Sequence, residues 1–444
     1  MAGVNDTGPG AGPGDEVFEG GYRSYALGLL TVVYTMNFVD RQILSILDEP
    51  IKNDLGLLDQ QIGLLHGAAF AIFYSICGLF IAAWADRTVR KNIIAGTLAI
   101  FSAMTIVCGL AQNFLQLFLA RVGVGIGEAG TSPPAHSIIS DLYGMEQRAT
   151  AMAVYGMGIN FGTMLGIYGA GYVYEVTESW RMGFLVAGVP GLILAVIVWL
   201  TLREPPRGYS ERAARPGAAD EPQATLVQTA AYLWNLRSFR FLSIGAMLNA
   251  FAGYGATSFY DNFLIRSHNF TVGEVKDVIA IGLGIVGGVG TFFSGYIVDR
   301  LARLDMRWSM WFPAATILMG VPFTLGFYFY PDKWIAIALA AFPVFFGVVY
   351  LAPSLAVSQR LAKLSMRAKT SAVLFLIINL IGYGVGPWAV GRLSDFLNFQ
   401  LGYSEAEALR YSLAILVTSA GALSGLCFFI ASLYLRKDLK ATAH

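Results

Sequence analysis

Twelve long apolar segments constrain this chain more than any other feature of its sequence. Most reach the roughly 20 residues that an α-helix needs to cross a bilayer. Only 13% of the 444 residues are charged, whereas a soluble protein has about 25%, and the mean hydropathy is +0.58. We therefore predict an all-α polytopic membrane protein with twelve transmembrane helices. The segments lie at 24–47, 60–84, 92–112, 115–142, 149–173, 182–202, 240–265, 275–298, 308–330, 334–358, 369–391 and 410–435.

The segments divide six and six around a polar stretch that contains Pro, Arg, Glu and Asp. If both termini are cytoplasmic, the inner loops carry about three times as many Lys and Arg residues as the outer loops. This positive-inside bias predicts that orientation, in the plasma (cell inner) membrane. The predicted regions are a disordered tail at 1–20, a six-helix half at 21–202, a cytoplasmic linker at 203–238, a second half at 239–436 and a cytoplasmic tail at 437–444.

Two short sequences recur at corresponding places in the two halves. Asp-Arg-x-x-Arg ends the second and eighth segments, at 86–90 and 299–303. Asn160 in the fifth segment and Asn379 in the eleventh each follow an Arg-Ala pair at the same spacing. Two unrelated repeats in the same order indicate duplicated halves. Alternating-access transporters are built in this way, with the binding site at the interface of the halves.

The repeated Asp-Arg-x-x-Arg sequences are candidates for a cytoplasmic gate. An aspartate at a helix end, followed by arginines, can pair with a neighbouring helix terminus and hold one side of a transporter shut. Positive-inside topology alone would explain the arginines but not the repeated aspartate. We predict a gating role for six residues, Asp86, Arg87, Arg90, Asp299, Arg300 and Arg303.

The apolar segment at 115–142 carries Arg121 and Glu128 in its middle, among four glycines. An ionised side chain at the bilayer centre costs about 2.5–3.5 kcal/mol on insertion scales, so both should face a protein interior or a wet cavity. They are two helical turns apart and share one face. A structural ion pair between them is one explanation. The glycines favour another, the close approach of a neighbouring helix or a ligand.

The first segment carries a second group of polar residues. Tyr34, Asn37 and Arg41 share one helical face, and Asp40 lies about 100° away where it can contact a different neighbour. Alternatively, Asp40 and Arg41 only neutralise each other near the interface. Proton coupling needs a carboxylate whose solvent access or neighbouring charge changes during transport. We predict that Glu128 is the principal proton site and that Asp40 gates it through Arg41.

Both polar stretches resemble motifs of a known family. Residues 37–41, Asn-Phe-Val-Asp-Arg, are similar to the N-Y-x-D-R of the Spinster family, a branch of the major facilitator superfamily. Residues 121–129, Arg-Val-Gly-Val-Gly-Ile-Gly-Glu-Ala, are similar to its R-x-x-x-G-x-G-E-A. The Asp-Arg-x-x-Arg loops resemble the superfamily signature. The resemblance implies a major facilitator fold of two pseudo-symmetric halves and a cargo such as sphingosine-1-phosphate or a lysophospholipid.

The distribution of side chains between the halves suits an amphipathic anion. The first half holds most charges within the apolar segments, whereas the second half offers mainly aromatic residues, with Asp261 as an exception near the outer end. The anionic head would meet Arg41 and Arg121, and the apolar tail would lie toward the second half. The predicted substrate-binding residues are Arg41, Arg121, Asn37, Tyr34, His66, Asn160, Tyr254, Asn379 and Tyr383.

Some of these residues have simpler explanations. His66 could hydrogen-bond a ligand or Asp40, or it could be a satisfied core histidine. Asn160 and Asn379 could line the cavity or join helices by hydrogen bonds. The three cysteines lie within apolar segments, with no disulfide framework and no metal-ligand spacing.

We expect a monomeric secondary active transporter for a lipid-like molecule within the membrane lipid. We expect no cofactor other than the proton as coupling ion, no metal, no nucleic-acid partner and no enzymatic activity. Two alternatives stay open. One is a small organic-anion symporter or a multidrug–proton antiporter, and the other is a membrane receptor that binds without transporting.

Overall fold

The computed structural model consists of helices joined by turns and loops in the part of the chain that it describes. No strand occurs in that part. The predicted tail at 1–20 and residues 208–224 of the predicted linker lie outside the described residues. The described ranges are 21–85, 87–207, 225–363 and 366–442.

Eight helices form the six spans of the first half. The second and fourth spans are each broken into two helices. The break in the fourth span precedes Pro133 and Pro134, which stand in the first turn of the following helix, where a missing backbone N–H is tolerated. The helices are α1 (Gly21–Leu55), α2 (Asp59–His66), α3 (Ala68–Ala85), α4 (Arg90–Gly109), α5 (Phe114–Glu128), α6 (Ser132–Leu142), α7 (Met145–Thr177) and α8 (Trp180–Thr201).

The second half repeats this plan after a short helix in the linker, α9 (Leu226–Asn235). Two of its spans contain a π-helical segment, a feature often found at functional sites. The last helix continues to Thr442, within the region predicted as a tail. The spans are α10 (Arg237–Thr257) with α11 (Tyr260–His268); α12 (Val272–Lys276), the π segment Asp277–Leu283 and α13 (Gly284–Leu304); α14 (Trp308–Phe329); α15 (Lys333–Phe345) with α16 (Leu351–Leu361); α17 (Arg367–Ile377), the π segment Ile378–Tyr383 and α18 (Gly384–Leu401); and α19 (Glu405–Thr442).

Together these helices give the twelve spans that the apolar segments predict. Seven helical segments in the described ranges are long and apolar enough to cross a membrane on those criteria alone. The other five spans contain polar residues or a break between two helices. These are the spans that combine bilayer length with groups that cannot face lipid, so they carry most of the site described below.

The two halves pack against each other mainly at their outer ends. Helix α2 packs on α18, α1 on α11, and α12 on α7. The larger buried apolar cluster runs from the first half into the outer parts of the second, including Phe263 and Leu413. The smaller cluster is confined to the second half toward the cytoplasm, including Phe239 and Leu361. The structure is therefore closed on its outer side.

Candidate functional site

A cavity of about 350 Å³ lies between the two halves, near the middle of the spans. Arg41 and His66 of the first half line it, together with Tyr254 and Tyr383 of the second. These four were predicted to bind the cargo. The cavity thus brings a cation from one half against aromatic rings from the other.

The guanidinium of Arg41, which lines the cavity, is held by the buried carboxylate of Glu128. Arg41 Nε on α1 lies 2.7 Å from Glu128 Oε2 at the end of α5. The Glu128 side chain is fully buried, while 17% of the Arg41 side chain is exposed. Glu128 Oε1 has no hydrogen-bond partner among the described residues. A structural ion pair between Arg121 and Glu128, one of the two explanations left open by the sequence, is not formed here, since Glu128 pairs with Arg41.

Aromatic rings surround the guanidinium of Arg41. Its central carbon lies 4.6 Å from the ring centre of Phe70, 4.8 Å from Phe38 and 4.9 Å from Tyr74. The Tyr383 ring contacts Phe70 at a centroid distance of 5.7 Å and so extends this group into the second half. Cation–π attraction contributes about 0.5–2 kcal/mol where the cation is desolvated. The rings therefore fix the position of Arg41 without neutralising it.

The glycines of α5 bring this helix against its neighbours. A Cβ on Gly125 would lie 2.9 Å from the carbonyl oxygen of Phe70, and one on Gly127 would lie 2.7 Å from the backbone nitrogen of Phe101. Real Cβ atoms do not approach backbone so closely, so only glycine fits. The close contact with α3 and α4 orients Glu128 toward the interior, as the helix-approach explanation predicts.

Asp40 and Arg121 meet on the far side of α1 from the cavity. Asp40 Oδ2 accepts a hydrogen bond from Thr105 Oγ1 at 2.9 Å, and Arg121 Nη1 donates to the main-chain oxygen of Asp40 at 3.3 Å. Both side chains are 1% exposed. Arg121 Nε and Nη2 have no partner in the described part of the chain. Asp40 does not neutralise Arg41 here, because Arg41 pairs with Glu128.

Five predicted cargo-binding residues lie outside the lining of this cavity, and one of them, Asn160, lines the neighbouring cavity described below. Tyr34 stacks on Tyr155 at 4.4 Å between ring centres, and Asn37 Nδ2 donates to Thr131 Oγ1 at 2.5 Å. Arg121 lies behind α1, and Asn379 is half-buried within a π segment. The contacts of Tyr34, Asn37 and Arg121 join helices, so a cargo-binding role for these three would need another state of the molecule.

His66 contacts a residue that sequence reasoning missed. Its Nε2 lies 2.6 Å from Asp48 Oδ2, not near Asp40 as one prediction had it. Asp48 lies two turns beyond Asp40 on α1 and just past the predicted end of the first apolar segment, which is why it was overlooked. Asp261, expected only near the outer end, is buried and accepts a hydrogen bond from Ser45 Oγ at 3.0 Å across the halves.

The outer ends of the halves are joined by an ion-pair network that was not predicted. Arg266 on α11 pairs with Glu49 of α1 at 2.8 Å and with Asp59 of α2 at 3.0 Å. Lys52 on α1 bridges Asp59 and Glu405 of the second half, at 3.0 and 2.9 Å. In the sequence these were ordinary loop charges. Their alternation of sign near the outer ends of neighbouring spans was the available signal.

Among the six predicted gate residues, Arg90 is buried and forms ion pairs. Its Nε lies 2.6 Å from Glu204 Oε1, and the same guanidinium pairs with Asp141, so it ties α4 to α6 and to the end of α8. Asp141 belongs to its own half and Glu204 to the start of the linker, so neither partner lies in the second half. Asp86 and the side chain of Asp299 lie outside the described residues. The side chains of the remaining three, Arg87, Arg300 and Arg303, are exposed. Arg300 lies over the Tyr296 ring.

A second cavity of about 540 Å³ opens beside the first, between α7 and α13. Asn160 lines it, but most of its wall is apolar. Phe161 and Ile285 at this wall are 45% and 60% exposed. The two cavities share five lining residues and therefore lie directly side by side. The shared residues are Thr163, Ile167, Thr257, Tyr260 and Ile279.

The chain is similar to known transporters over almost its whole length. Residues 30–387 match the Major Facilitator Superfamily. The chain is 34% identical to an MFS-type efflux pump of Mycolicibacterium smegmatis, over 93% of this chain and 94% of that protein. It is 26% identical to the bovine (Bos taurus) protein spinster homolog 1, over 94% of this chain and 82% of that protein.

A solved structure has the same architecture. It is the crystal structure of a bacterial homolog of the human lysosomal transporter Spinster, in an inward-facing and unoccupied conformation. The TM-score is 0.80 with 31% sequence identity, covering 96% of this chain and 98% of that chain. An inward-facing relative agrees with the closed outer side described above.

Proposed function

Because the chain belongs to the Spinster family of the major facilitator superfamily, and is thus a multi-pass inner-membrane transporter and not an enzyme, we propose a specific cargo and coupling ion. The cargo is an amphipathic anionic lipid, similar to sphingosine-1-phosphate or a lysophospholipid. It crosses by alternating access, coupled to protons, and the transporter acts as a monomer.

The observation that carries this proposal is the adjacency of the two cavities. The central cavity presents the guanidinium of Arg41, whereas the side cavity is mostly apolar. The two adjoining cavities together offer a cation at one end and an apolar wall at the other. A single-chain lipid with an anionic head matches this polarity, because its head forms charge-assisted hydrogen bonds while its chain leaves water.

The pairing of Arg41 with Glu128 supports proton coupling. An anionic head that binds Arg41 competes with the Glu128 carboxylate for the same guanidinium. A buried carboxylate that loses its cation is strongly destabilised as an ion, so Glu128 then takes up a proton. In this mechanism the protein carries the cargo and the proton at the same time, which favours symport. In our proposal Asp40 gates this exchange through its neighbour Arg41. In this structure the Asp40 carboxylate accepts a hydrogen bond from Thr105.

The proposal is tested by cargo-triggered proton flux in proteoliposomes. A lysophospholipid and small organic acids are compared, with protein-free liposomes as the control for passive flip-flop. We expect proton flux with the lysophospholipid in the wild type and its loss in Glu128→Gln. Flux only with the small acids would assign the chain to organic-anion symport. Unchanged, pH-dependent transport in Glu128→Gln would exclude Glu128 as the proton site.

A second candidate is export of amphipathic drugs, which the 34% identity to an efflux pump supports. The aromatic group around Arg41 and Tyr383 could bind planar apolar molecules of several kinds. Arg41 nevertheless favours an anion, because it repels a cationic drug in a site of low dielectric. Competition separates the candidates: a cationic dye that is exported and is not inhibited by lysophospholipid would favour drug efflux.

A further inference from the structure

Outward of Arg41, three ionisable residues are buried where the halves meet. Asp48, His66 and Asp261 are 0%, 5% and 4% exposed. His66 and Asp48 hydrogen-bond each other within the first half, and Asp261 of the second half accepts from Ser45 of the first. His66, Ser45 and Asp261 also line the central cavity. The group therefore bridges the halves and borders the cavity.

The carboxylates of this group have no strong cation of their own. In the part of the chain that the structure describes, Asp48 pairs only with His66, and Asp261 forms no ion pair. Asp48 Oδ1 is buried without any hydrogen-bond partner. By contrast, Glu128 has Arg41, and the carboxylates at the outer edge have Arg266. Two buried carboxylates near one imidazole, which hydrogen-bonds only Asp48, cannot both remain ionised at low cost.

Charges on the surrounding helices do not compensate the excess of negative charge in this group. Arg121 acts on both His66 and Asp48, but without a hydrogen bond to either that the structure records. Arg266 is already committed to Glu49 and Asp59, which also face the group and add negative charge. The charged and titratable neighbours by helix are Arg41 and Glu49 of α1, Asp59 of α2, Arg121 of α5, Tyr260 and Arg266 of α11, and Tyr383 of the adjacent π segment.

We propose that Asp48, His66 and Asp261 form a second proton-binding site, separate from Glu128, which fills when the outer side closes. Closure brings Asp261 against the Ser45–Asp48–His66 side of the first half and removes water. Opening of the outer side separates these groups and hydrates them, so they release the proton. Because His66 and Asp261 border the cavity, opening toward the cytoplasm gives the proton a second exit. This proton uptake does not require the cargo of the proposed function.

The test measures closure of the outer side against pH, without cargo. Spin labels at Asn53 and Gln400, both exposed, report the distance between the outer ends of the halves in nanodiscs. In the wild type we expect the closed-to-open ratio to rise as pH falls, by up to about tenfold per pH unit for each linked proton. Asp261→Asn and His66→Gln should flatten this dependence.

Asp54→Asn, on the same outer side of the protein, is the matched control. Asp54 is an exposed outer carboxyl whose hydrogen bond from Arg181 lowers its pKa, so it stays ionised across the assay range. Its variant should keep the wild-type pH profile. Asp48→Asn provides a third, independent variant, and the pH dependence of thermal unfolding in detergent repeats the measurement without labels. A wild-type slope in all three cluster variants would overturn the site, whatever the cargo assay gives.

Discussion

Arg266 and Asp59 form a two-point ion pair across the two halves. Arg266 Nη1 lies 3.0 Å from Asp59 Oδ2, and Nη2 lies 3.0 Å from Asp59 Oδ1. Both side chains are largely buried, at 6% and 4% exposed. A parallel fork of this kind is among the stronger and more directional ion pairs. It holds the outer side shut at one defined position.

Removal of Arg266 should open the outer side. Breaking one partner of a buried ion pair costs about 3–5 kcal/mol, because the remaining charge is uncompensated. In the open state those carboxylates are hydrated, so Arg266→Gln should shift the closed-to-open ratio by at least about a hundredfold. Distance measurements between labels on the outer ends check this. Arg181→Gln, which loses a partner within its own half, is the control; equal distance distributions for the two variants would contradict the prediction.

Glu128→Gln should remove the pH dependence of cargo binding. In the wild type, a protonated Glu128 releases Arg41, so affinity for an anionic lysolipid should rise as pH falls. The neutral amide does not compete for Arg41 as strongly, so at neutral pH the variant should bind about tenfold or more tightly, the order of one charge-assisted hydrogen bond.

Binding measured by intrinsic tryptophan fluorescence across pH tests this expectation. Glu407→Gln is the control, because Glu407 is exposed and hydrogen bonds from Ser404 lower its pKa. That variant should bind as the wild type does. The same pH dependence in Glu128→Gln as in the wild type would show that Glu128 does not compete with the cargo.

A bulky residue in the side cavity should discriminate by chain length. Gly288 lines this cavity and has open space where a Cβ would stand. Gly288→Trp should reduce transport of a long-chain lysolipid at least tenfold and that of a short-chain analogue much less, because only the long chain fills the apolar branch. Gly169→Trp on α7 adds the same bulk outside the cavity lining and should spare both cargoes. Equal losses of transport for both chain lengths would argue against binding of the lipid chain in the side cavity.

Gly127→Ala should destabilise the protein. Its Cβ would press on Phe101 at 2.7 Å, and overpacking of this kind typically costs about 1–3 kcal/mol. We expect a lower thermal unfolding temperature in detergent. Gly156→Ala is the control, since that glycine in α7 has nothing within 4 Å and alanine favours helix by about 1 kcal/mol. Equal stability of the two variants would mean that α5 can move away from α4 without cost.

Some features of the site followed from local sequence rules alone. A charged residue in a long apolar segment cannot face lipid, so Arg41, Arg121 and Glu128 had to point inward. Helical periodicity separated the face of Arg41 from that of Asp40, and the structure gives them different partners, Glu128 and Thr105. These inferences needed only the cost of charge in a bilayer and the geometry of one helix.

Partner choice did not follow from those rules. Glu128 pairs with Arg41 of another helix and not with Arg121 of its own, and His66 pairs with Asp48 and not with Asp40. Each choice depends on how helices rotate and cross, which is set by many packing contacts distant in sequence.

The sequence by itself determined the twelve spans, the two-half plan and the inward-facing charges, because bilayer thickness and helical period act on each segment separately. Only the tertiary structure decided which charges meet across the halves, that Asp261 joins the buried group, and that Arg266 closes the outer side. Those contacts exist in one arrangement of the halves, and an arrangement that alternates during transport is not encoded in any single segment.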